Sequence, residues 1–375
     1  MNTSHGPVEN YFTQLLGIDN PSTEEAAIRA FIQQQLLSLD TQKLIEIITV
    51  DDIGNLYVRL KGQPERPAMM FCAHMDSVPP CRSIQYIESL DEKQQPILQA
   101  AGTTILGADD RAGIATMLAI FERLQHTGHT CLPRSVEFLF TVQEEIGIKG
   151  AKALDLEQCL SQQVFVLDGE GNLGDIFNQG PARQAVEIHI HGKAAHSAMP
   201  EKGMNAIWLA GQIMTKLPVS GRISPDSSFN LGRIRGGNAV NIIAHDAYLE
   251  AEIRSFNERE LYALGDQIYA ACDHAKDLSP EAEIVCSIQH QYDPFCIPEN
   301  SQSVQQAIQA CKNIAVEPHV TRMYIGSDAH ILNARGREAI VLGMGFHGSH
   351  SVREFIRLKE LAGVVEWVWT LIHQS

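Results

Sequence analysis

The sequence lacks several features that would indicate a function directly. Its eight cysteines are scattered and include no C-x-x-C pair, a pattern more typical of free thiols in a reducing compartment than of disulfides or a thiolate zinc site. Basic residues are few, with 29 Lys and Arg against 45 Asp and Glu and a formal net charge of -16. We therefore expect no general electrostatic binding to nucleic acid or to an anionic membrane.

Long apolar runs are also missing. No stretch reaches the ~18 apolar residues of a transmembrane helix, and no basic segment followed by an apolar one opens the sequence. We expect a soluble, cytoplasmic protein. Because 44% of its 375 residues are hydrophobic, the chain can still bury the core of one large domain or two ordinary ones.

The first half of the chain alternates helix and strand patterns. Residues 26–39 have apolar residues at helical spacing, after a capping-box pattern formed by Ser22 and Glu25. Three apolar runs are typical of strands buried on both faces, and acidic or histidine residues lie at the end of each run or just after it. The pattern predicts an α/β fold, a mixed open sheet flanked by helices, with a site along one edge of the sheet. These runs are "AMMFCAHMDSV", "SVEFLFTV" and "SQQVFVLDGEG".

The middle of the chain has a different order of elements. From about residue 182 the patterns follow the order βαββαβ, which is the ferredoxin-like arrangement. After residue 292, helices and strands alternate again. We therefore expect a discontinuous larger domain of residues 1–181 and 293–375, with a ferredoxin-like α+β domain inserted at 182–292.

Five short segments place acidic or histidine residues at predicted strand ends or just after them. Each alone could hold a helix N-cap or turn residue. Together they would collect unpaired charge at one sheet edge unless a counter-ion were present. Imidazole with carboxylate suits zinc, manganese or cobalt, and about five such ligands can hold two ions that share one carboxylate. The segments are "AHMDS", "GADDRAG", "QEEIG", "LDGEG" and "FHGSHSVREF".

The order of these motifs, H-x-D, G-x-D-D-x-x-G, E-E-x-G, D-G and H-x-x-x-E, resembles that of the two-zinc exopeptidases and deacylases. This family includes peptidase T, bacterial glutamate carboxypeptidase, aminoacylase and succinyl-diaminopimelate desuccinylase, and the resemblance covers nearly the whole chain. A related aminopeptidase family with PDZ-like or barrel insertions shares "DDRAG" and "QEEIG", but its extra domain lies between the first His and the bridging Asp. Here only 34 residues separate His74 from Asp109, and the long insert follows Asp168. The chain is therefore closer to the peptidase T-like group.

The resemblance implies a role for each motif. Asp109 would bridge two metal ions, and Asp76 would hold His74 and fix its tautomer. Glu144 would be the general base and acid of amide hydrolysis, and Glu145 would bind metal. The implied metal ligands are His74, Asp109, Glu145, Asp168 and His350.

Two positions leave a choice between neighbours. The last ligand of the family stands four residues before a glutamate, a spacing that His350 has and His347 lacks. His347 is then expected to support the ligands or to face the substrate. Asp110, beside Asp109, is expected either to interact with Arg111 or to cap the helix that follows.

The inserted domain also carries residues that resemble functional positions of the family. His196 matches a histidine that stabilises the oxyanion, often in the active site of the partner subunit, although a surface-loop histidine is the alternative. Asn241 and Arg254 match substrate contacts, and Arg254 would recognise a free carboxylate unless it forms a surface salt bridge. "IGSDAHIL" resembles a late loop of the site, which Asp328 would support without binding metal. The likeness also implies a homodimer formed through this domain.

These roles imply a metal-dependent hydrolase acting on a peptide or amide bond of a small substrate. Two Zn²⁺ ions are expected, with Co²⁺ or Mn²⁺ as alternatives. The first hypothesis is a tripeptide or dipeptide aminopeptidase, and a carboxypeptidase or an N-acyl amino acid deacylase is the second. A hypothesis of a different class is a homologue that has kept the fold but serves only as a binding or scaffold protein.

Overall fold

The computed structural model describes residues 6–128 and 130–374. The chain forms two compact units, one extending to Gln179 and resuming at Cys296, the other spanning Gly180–Phe295. The sequence placed the corresponding boundaries after residues 181 and 292. Within the described ranges, no helix has the length and apolar character needed to cross a membrane.

The elements are numbered in chain order, and the first unit and the inserted unit are given in turn. The first unit begins with α1 (Pro7–Leu16), α2 (Ala26–Leu39), β1 (Ile45–Val50), β2 (Leu56–Leu60), β3 (Met69–His74), β4 (Tyr86–Leu90), β5 (Pro96–Ala100), α3 (Ala108–His126), β6 (Val136–Thr141), α4 (Lys149–Ala153), β7 (Gln163–Gly169) and β8 (Asp175–Gly180). The second unit contains β9 (Ala182–His191), α5 (Ala206–Met214), β10 (Gly221–Arg222), β11 (Ser227–Gly236), β12 (Asp246–Ser255), α6 (Glu258–Leu278) and β13 (Glu283–Tyr292). The chain continues with β14 (Phe295–Cys296), α7 (Gln302–Asn313), β15 (His319–Arg322), α8 (Asp328–Ala334), β16 (Glu338–Gly343), β17 (Phe346–His347), β18 (Phe355–Arg357) and α9 (Leu358–His373).

The first unit is built on a large mixed sheet, as predicted. Its strand order is β1-β2-β6-β3-β7-β16-β8-β14, with β15 paired to β8. The central strands β6, β3, β7 and β16 are parallel, whereas β2 pairs antiparallel with β6. Every residue of β3, β6 and β7 is buried, so both faces of the sheet are covered. The carboxyl ends of these parallel strands therefore meet at one edge.

A small four-stranded sheet in the same unit was not predicted. Its order is β17-β18-β5-β4, and its strands have two to five residues. Strand β4 is almost wholly exposed, so it lacks the apolar pattern by which a strand is recognised. Through β18, this sheet fixes the chain near residue 354, where the backbone carbonyl of Glu354 accepts from the N–H of Ala100.

The second unit has the predicted ferredoxin-like topology. Its antiparallel sheet has the order β10-β11-β12-β9-β13, which extends the ferredoxin-like order by the short edge strand β10. Buried and less buried residues alternate along β9, as expected for a sheet with helices on one face only. Its core is formed by the sheet together with α5 and α6.

The predicted capping box before α2 is wrong. The helix begins at Ala26, and its N-cap residue Glu25 makes no side-chain cap. The hydroxyl of Ser22 instead donates to Oδ2 of Asp76 at 2.7 Å, and Oε1 of Glu25 accepts from the N–H of Gln143 at 3.1 Å. Both side chains tie the start of α2 to loops at the carboxyl edge of the sheet.

Helix α3 lies unusually close to the sheet at Gly113. A Cβ atom there would lie 2.6 Å from the carbonyl oxygen of Leu167 and 2.8 Å from Cβ of Ala73. Because one neighbour is sheet backbone, the contact cannot be relieved by a side-chain rotation. The glycine of "DDRAG" is therefore required by packing.

We predict that Gly113→Ala lowers the free energy of unfolding by about 1–3 kcal/mol, the usual cost of overpacking a core. Gly211 in α5 is the matched control, because a Cβ atom at that position would meet nothing within 4 Å. There the higher helix propensity of alanine should raise the free energy of unfolding by about 0.5–1 kcal/mol. Urea denaturation measures both, and stabilisation by both substitutions would contradict close packing at Gly113.

Candidate metal centre

The carboxyl edge of the central sheet gathers the predicted metal ligands. His74 is the last residue of β3, Asp168 lies at the end of β7, and Glu145 follows β6. Asp109 stands at the start of α3, and His350 lies in the loop between β17 and β18. The parallel pairing of β3 with β6 and β7 places the first three at the same edge, and the two loops bring the others to it.

Asp109 lies between two groups of side chains. Its Oδ1 is 2.8 Å from Nε2 of His74, and its Oδ2 is 3.3 Å from Nε2 of His350. On one side Asp168 Oδ1 is 3.5 Å from His74 Nε2, and on the other Glu145 Oε2 is 3.0 Å from His350 Nε2. The carboxylate of Asp109 is therefore placed where two cations could share it.

The charges in this cluster perturb one another. Burial raises the pKa of Asp168 to about 7, and the charge of Asp109 adds to the shift. Burial also raises the pKa of Glu145, although the hydrogen bond from His350 opposes it. Hydrogen bonds to Asp109 and Glu145 raise the pKa of His350 to about 11. The carboxylates thus need positive charge, and an imidazole and carboxylate set without thiolate fits divalent zinc, manganese or cobalt.

Asp76 has a wider role than the sequence indicated. Nδ1 of His74 lies 3.0 Å from the backbone carbonyl of Asp76 and 3.6 Å from its carboxylate, so the carbonyl accepts from Nδ1–H and leaves Nε2 facing the cluster. The Asp76 carboxylate accepts from the backbone N–H groups of Glu144 at 2.9 Å and Glu145 at 3.2 Å. It therefore fixes the pair of adjacent glutamates as well as lying beside His74.

Glu144 and Glu145 differ in their contacts. Glu145 meets the imidazole of His350. The hydrogen bonds found for Glu144 among the described residues are made by its backbone, whose N–H donates to Asp76 and whose carbonyl accepts from Gly147 and Ile148. Burial raises the pKa of the Glu144 carboxyl well above its usual value, and the charges of Asp168 and Glu145 add to this although His74 opposes it. A carboxyl group with a raised pKa suits proton transfer near neutral pH.

Asp109 and Asp110 have non-helical backbone angles within α3, and Asp110 caps the regular part of the helix that follows, which was one of its two predicted alternatives. Its Oδ1 accepts from the N–H of Gly113 at 3.0 Å, and its Oδ2 accepts from the N–H of His74 at 3.1 Å. Arg111 donates instead to backbone carbonyls, including that of Leu15 at 3.1 Å. Ligand atoms of His74, Asp110 and Asp168 do lie within 4.8 Å of one another, but both oxygens of Asp110 already accept backbone N–H groups.

Glu354 supports the segment that carries Asp109, whereas the sequence indicated this residue only by its spacing from His350. Its buried carboxylate accepts from the backbone N–H groups of Gly107 and Ala108 at 2.7 Å and of Asp109 at 3.2 Å. Burial raises its pKa to about 7 against these hydrogen bonds. Glu354 therefore fixes the segment that presents Asp109, and its spacing from His350 was the available signal.

Asp328 is buried beneath this edge of the sheet. Its Oδ2 accepts from Oγ1 of Thr141 at 2.5 Å and from Sγ of Cys72 at 3.5 Å. Burial raises the pKa of this carboxyl. Through Thr141, the side chain supports the end of β6, close to the point where the two glutamates leave the strand.

His347 lies outside the cluster. Its Nε2 accepts from Nη1 of Arg357 at 2.7 Å, and its ring stacks on Phe355 with centroids 5.2 Å apart. Burial and the charge of Arg357 lower its pKa, which favours the neutral ring. His347 lines a cavity of about 250 Å³. Glu170 and Gly169, which directly follows Asp168, also line this cavity.

In the second unit, His196 and Asn241 are neighbours. Both are exposed, and the carbonyl of Asn241 accepts from the N–H of Ser197 at 3.0 Å. Arg254 lies elsewhere, with its guanidinium 2.9 Å from Glu252. The chain that follows Asn241 enters β12 at Asp246. Arg254 lies eight residues further along this strand, so Asp246 and Arg254 are roughly 26 Å apart at the usual rise of a strand. The structure therefore does not bring Arg254 to His196 and Asn241 within one copy of this unit.

Comparison with known proteins agrees with this architecture. Residues 183–277 match the profile of the M20 peptidase dimerisation domain, and residues 55–197 match peptidase family M28. The uncharacterised protein YqjE of Bacillus subtilis is 31% identical over 369 residues, covering 97% of both chains. The crystal structure of the aminopeptidase PepT from Bacillus cereus has a TM-score of 0.84 at 30% identity, covering 98% of this chain and 97% of that one. A Staphylococcus aureus tripeptidase has a TM-score of 0.88 at 26% identity with the same coverage.

These similarities define the class of the protein. Three findings together identify this class. They are the fold, the match to a dimerisation domain and the relative that is 31% identical over nearly the full length. The chain belongs to the peptidase T-like group of the M20 family, and it is a metallopeptidase.

We predict that Asp168→Asn stabilises the chelator-treated protein at high pH. The pKa of Asp168 is about 7 in the folded state and about 3.9 in an unfolded chain, so the wild-type carboxyl costs stability as the pH rises through this window. Because asparagine cannot ionise, the gain at pH 8.5 should exceed about 1 kcal/mol, since one pKa unit corresponds to about 1.4 kcal/mol. It should shrink at pH 4.

Urea denaturation in the presence of a chelator measures this gain at both pH values. Asp266→Asn, at an exposed position of α6, is the control and should change stability little at either pH. A gain for Asp168→Asn that is equal at pH 4 and pH 8.5 would show that ionisation of this buried carboxyl does not cost stability.

Proposed function

We propose that the protein is a two-metal aminopeptidase that removes the N-terminal residue from tripeptides or dipeptides in the cytoplasm. The observation that carries this proposal is the position of Asp109, which faces His74 with one oxygen and His350 with the other. The aminopeptidase and tripeptidase among the similar structures support the substrate class. The eight cysteines, all free thiols, support a reducing compartment.

The proposed metals are two Zn²⁺ ions, with Co²⁺ or Mn²⁺ able to use the same ligands. His74 and Asp168 would hold the first ion, Glu145 and His350 the second, and Asp109 both. Bound there, the cations would supply Lewis-acid activation of a water and of the scissile carbonyl. The burial of the ligands supports this assignment, because only His350 among them has a half-exposed side chain.

Glu144 is the proposed general base. Its carboxyl would take the proton of the attacking water and then deliver it to the leaving amine, which requires a pKa raised toward neutrality. Asp76 would keep Glu144 in place through the backbone N–H that it accepts at 2.9 Å. These two residues and His196 form the proposed catalytic group.

We further propose a homodimer formed through the second unit. His196 and Asn241 are exposed on it and lie far along the sheet from Arg254, so one small substrate cannot touch both sets within one copy. A second copy could supply His196 as the oxyanion donor and Asn241 as a substrate contact. The match to a dimerisation domain and the exposed apolar side chains of Ile207 and Trp208 on α5 support this arrangement.

Arg254 and His347 are the remaining proposed substrate contacts. The ion pair of Arg254 with Glu252 already satisfies part of its guanidinium, which weakens the case for a carboxypeptidase that depends on it. His347 faces a cavity that begins next to Asp168, where a substrate side chain could bind. We therefore place the aminopeptidase ahead of the carboxypeptidase and the deacylase.

Glu144→Gln should retain two metal equivalents and lose catalytic turnover by about 10²–10⁴-fold, the usual contribution of a general acid and base. Glu145→Gln is the neighbouring comparison and should instead weaken metal binding, because it removes a charged ligand. Metal content by mass spectrometry and tripeptide hydrolysis rates separate the two effects. Near-normal turnover of Glu144→Gln would remove it from this role, and a wild-type chain without bound metal would favour the scaffold hypothesis.

The substrate class is tested with tripeptides and their N-acetylated analogues. An aminopeptidase should cleave the free tripeptides and leave the blocked forms intact, because the α-amine must be recognised. Chromatography of the products identifies which residue is released. Cleavage of only the blocked forms would favour the deacylase, and release of the C-terminal residue would favour the carboxypeptidase.

A further inference from the structure

We infer that Glu170 is a positioning residue for the second metal, because its carboxylate fixes the loop that presents His350. This inference rests on the two-metal centre proposed above. Glu170 stands two residues after Asp168, just beyond the end of β7. The ligand of one metal and the support for a ligand of the other therefore leave the same strand end.

Both oxygens of Glu170 hold the loop. Oε1 accepts from the backbone N–H of Gly348 at 2.8 Å, and Oε2 accepts from the hydroxyl of Ser349 at 2.5 Å. These donors belong to the two residues immediately before His350. Hydrogen bonds to an ionised acceptor are stronger than neutral ones, and two of them fix orientation as well as distance.

Glu354 anchors the loop four residues after His350, so the part of the loop before His350 needs a support of its own. Gly348 has φ of +71° and His350 has φ of +61°, a left-handed conformation that is uncommon for residues other than glycine. The hydrogen bond from Oγ of Ser351 to the carbonyl of Gly348 lies within the loop and cannot anchor it to the sheet. The side chain of His350 is 51% exposed, so packing contributes little to its position.

His74 and Asp109 have supports that do not involve Glu170. The side chain of His74 is 2% exposed and is oriented by the carbonyl of Asp76. Asp109 is placed by Glu354, which accepts the N–H groups at the start of α3. Loss of the Glu170 carboxylate should therefore loosen the second metal and spare the first.

Titration of the chelator-treated full-length protein with Co²⁺, followed by visible absorption and calorimetry, tests this inference. Glu170→Ala should bind the first ion as the wild type does and the second about 10–100-fold more weakly, the usual effect of losing a residue that orients a ligand. Glu170→Gln keeps an oxygen that can accept from Gly348 and should restore most of the affinity. Ser349→Ala, which removes one of the two hydrogen bonds, should fall between them.

Glu92→Ala is the control, because this exposed glutamate lies in the turn between β4 and β5. It should bind both ions as the wild type does. Wild-type affinity for both ions in Glu170→Ala, or equal weakening of both, would overturn the role of Glu170. A wild-type chain that takes up fewer than two ions would overturn the proposed two-metal centre itself, and this inference with it.

Discussion

The crowding of buried carboxylates at one edge of the sheet is the constraint to which the surrounding structure responds. Asp109, Asp168 and Glu145 converge on two imidazoles, and burial raises the pKa of Asp168 and Glu145. Such a cluster opposes folding unless positive charge accompanies it. Divalent cations supply two positive charges on a single ion. The carboxylates that destabilise the folded protein without a cation are therefore the groups that suit the metal site of a metallopeptidase.

The carboxylates near this edge fall into two sets by the donors that they meet. Asp76, Asp110 and Glu354 each accept backbone N–H groups, which satisfy their oxygens with fixed dipoles and turn them into supports for the chain. Asp109 and Glu145 meet imidazoles instead. Hydrogen bonding to backbone thus separates the acids that hold the loops from those that remain open to a cation, although the sequence motifs contain both kinds.

Much of the architecture could be predicted because its determinants are local. Buried strands such as β3 and β7 are continuous apolar runs, and burial alternates at a period of two along β9 of the second unit. Strand β4 could not be recognised, because its exposed residues carry no such period. The capping box before α2 failed because Ser22 and Glu25 found tertiary partners, which a local pattern cannot reveal.

The site divides in the same way. Motif order predicted the acids and histidines that meet at the sheet edge, but the groups that support them depend on contacts between distant parts of the chain. Glu354 meets Gly107 across 247 residues, and Glu170 meets Gly348 across 178. The sequence predicted that Asp76 holds His74, but it could not show that the backbone carbonyl of Asp76 makes this contact. A backbone carbonyl is present in every residue, so no sequence pattern marks it.

The adjacent glutamates at the end of β6 show how one support can give neighbours different chemistry. The two oxygens of Asp76 accept consecutive N–H groups, from Glu144 and from Glu145, so the backbone of the pair is fixed at both residues. With the backbone held, the two side chains cannot exchange places, and Glu145 meets His350. Glu144 is left with a raised pKa and no imidazole hydrogen bond among the described residues. The proposed metal ligand can therefore stand next to the proposed proton carrier, because the backbone keeps their side chains apart.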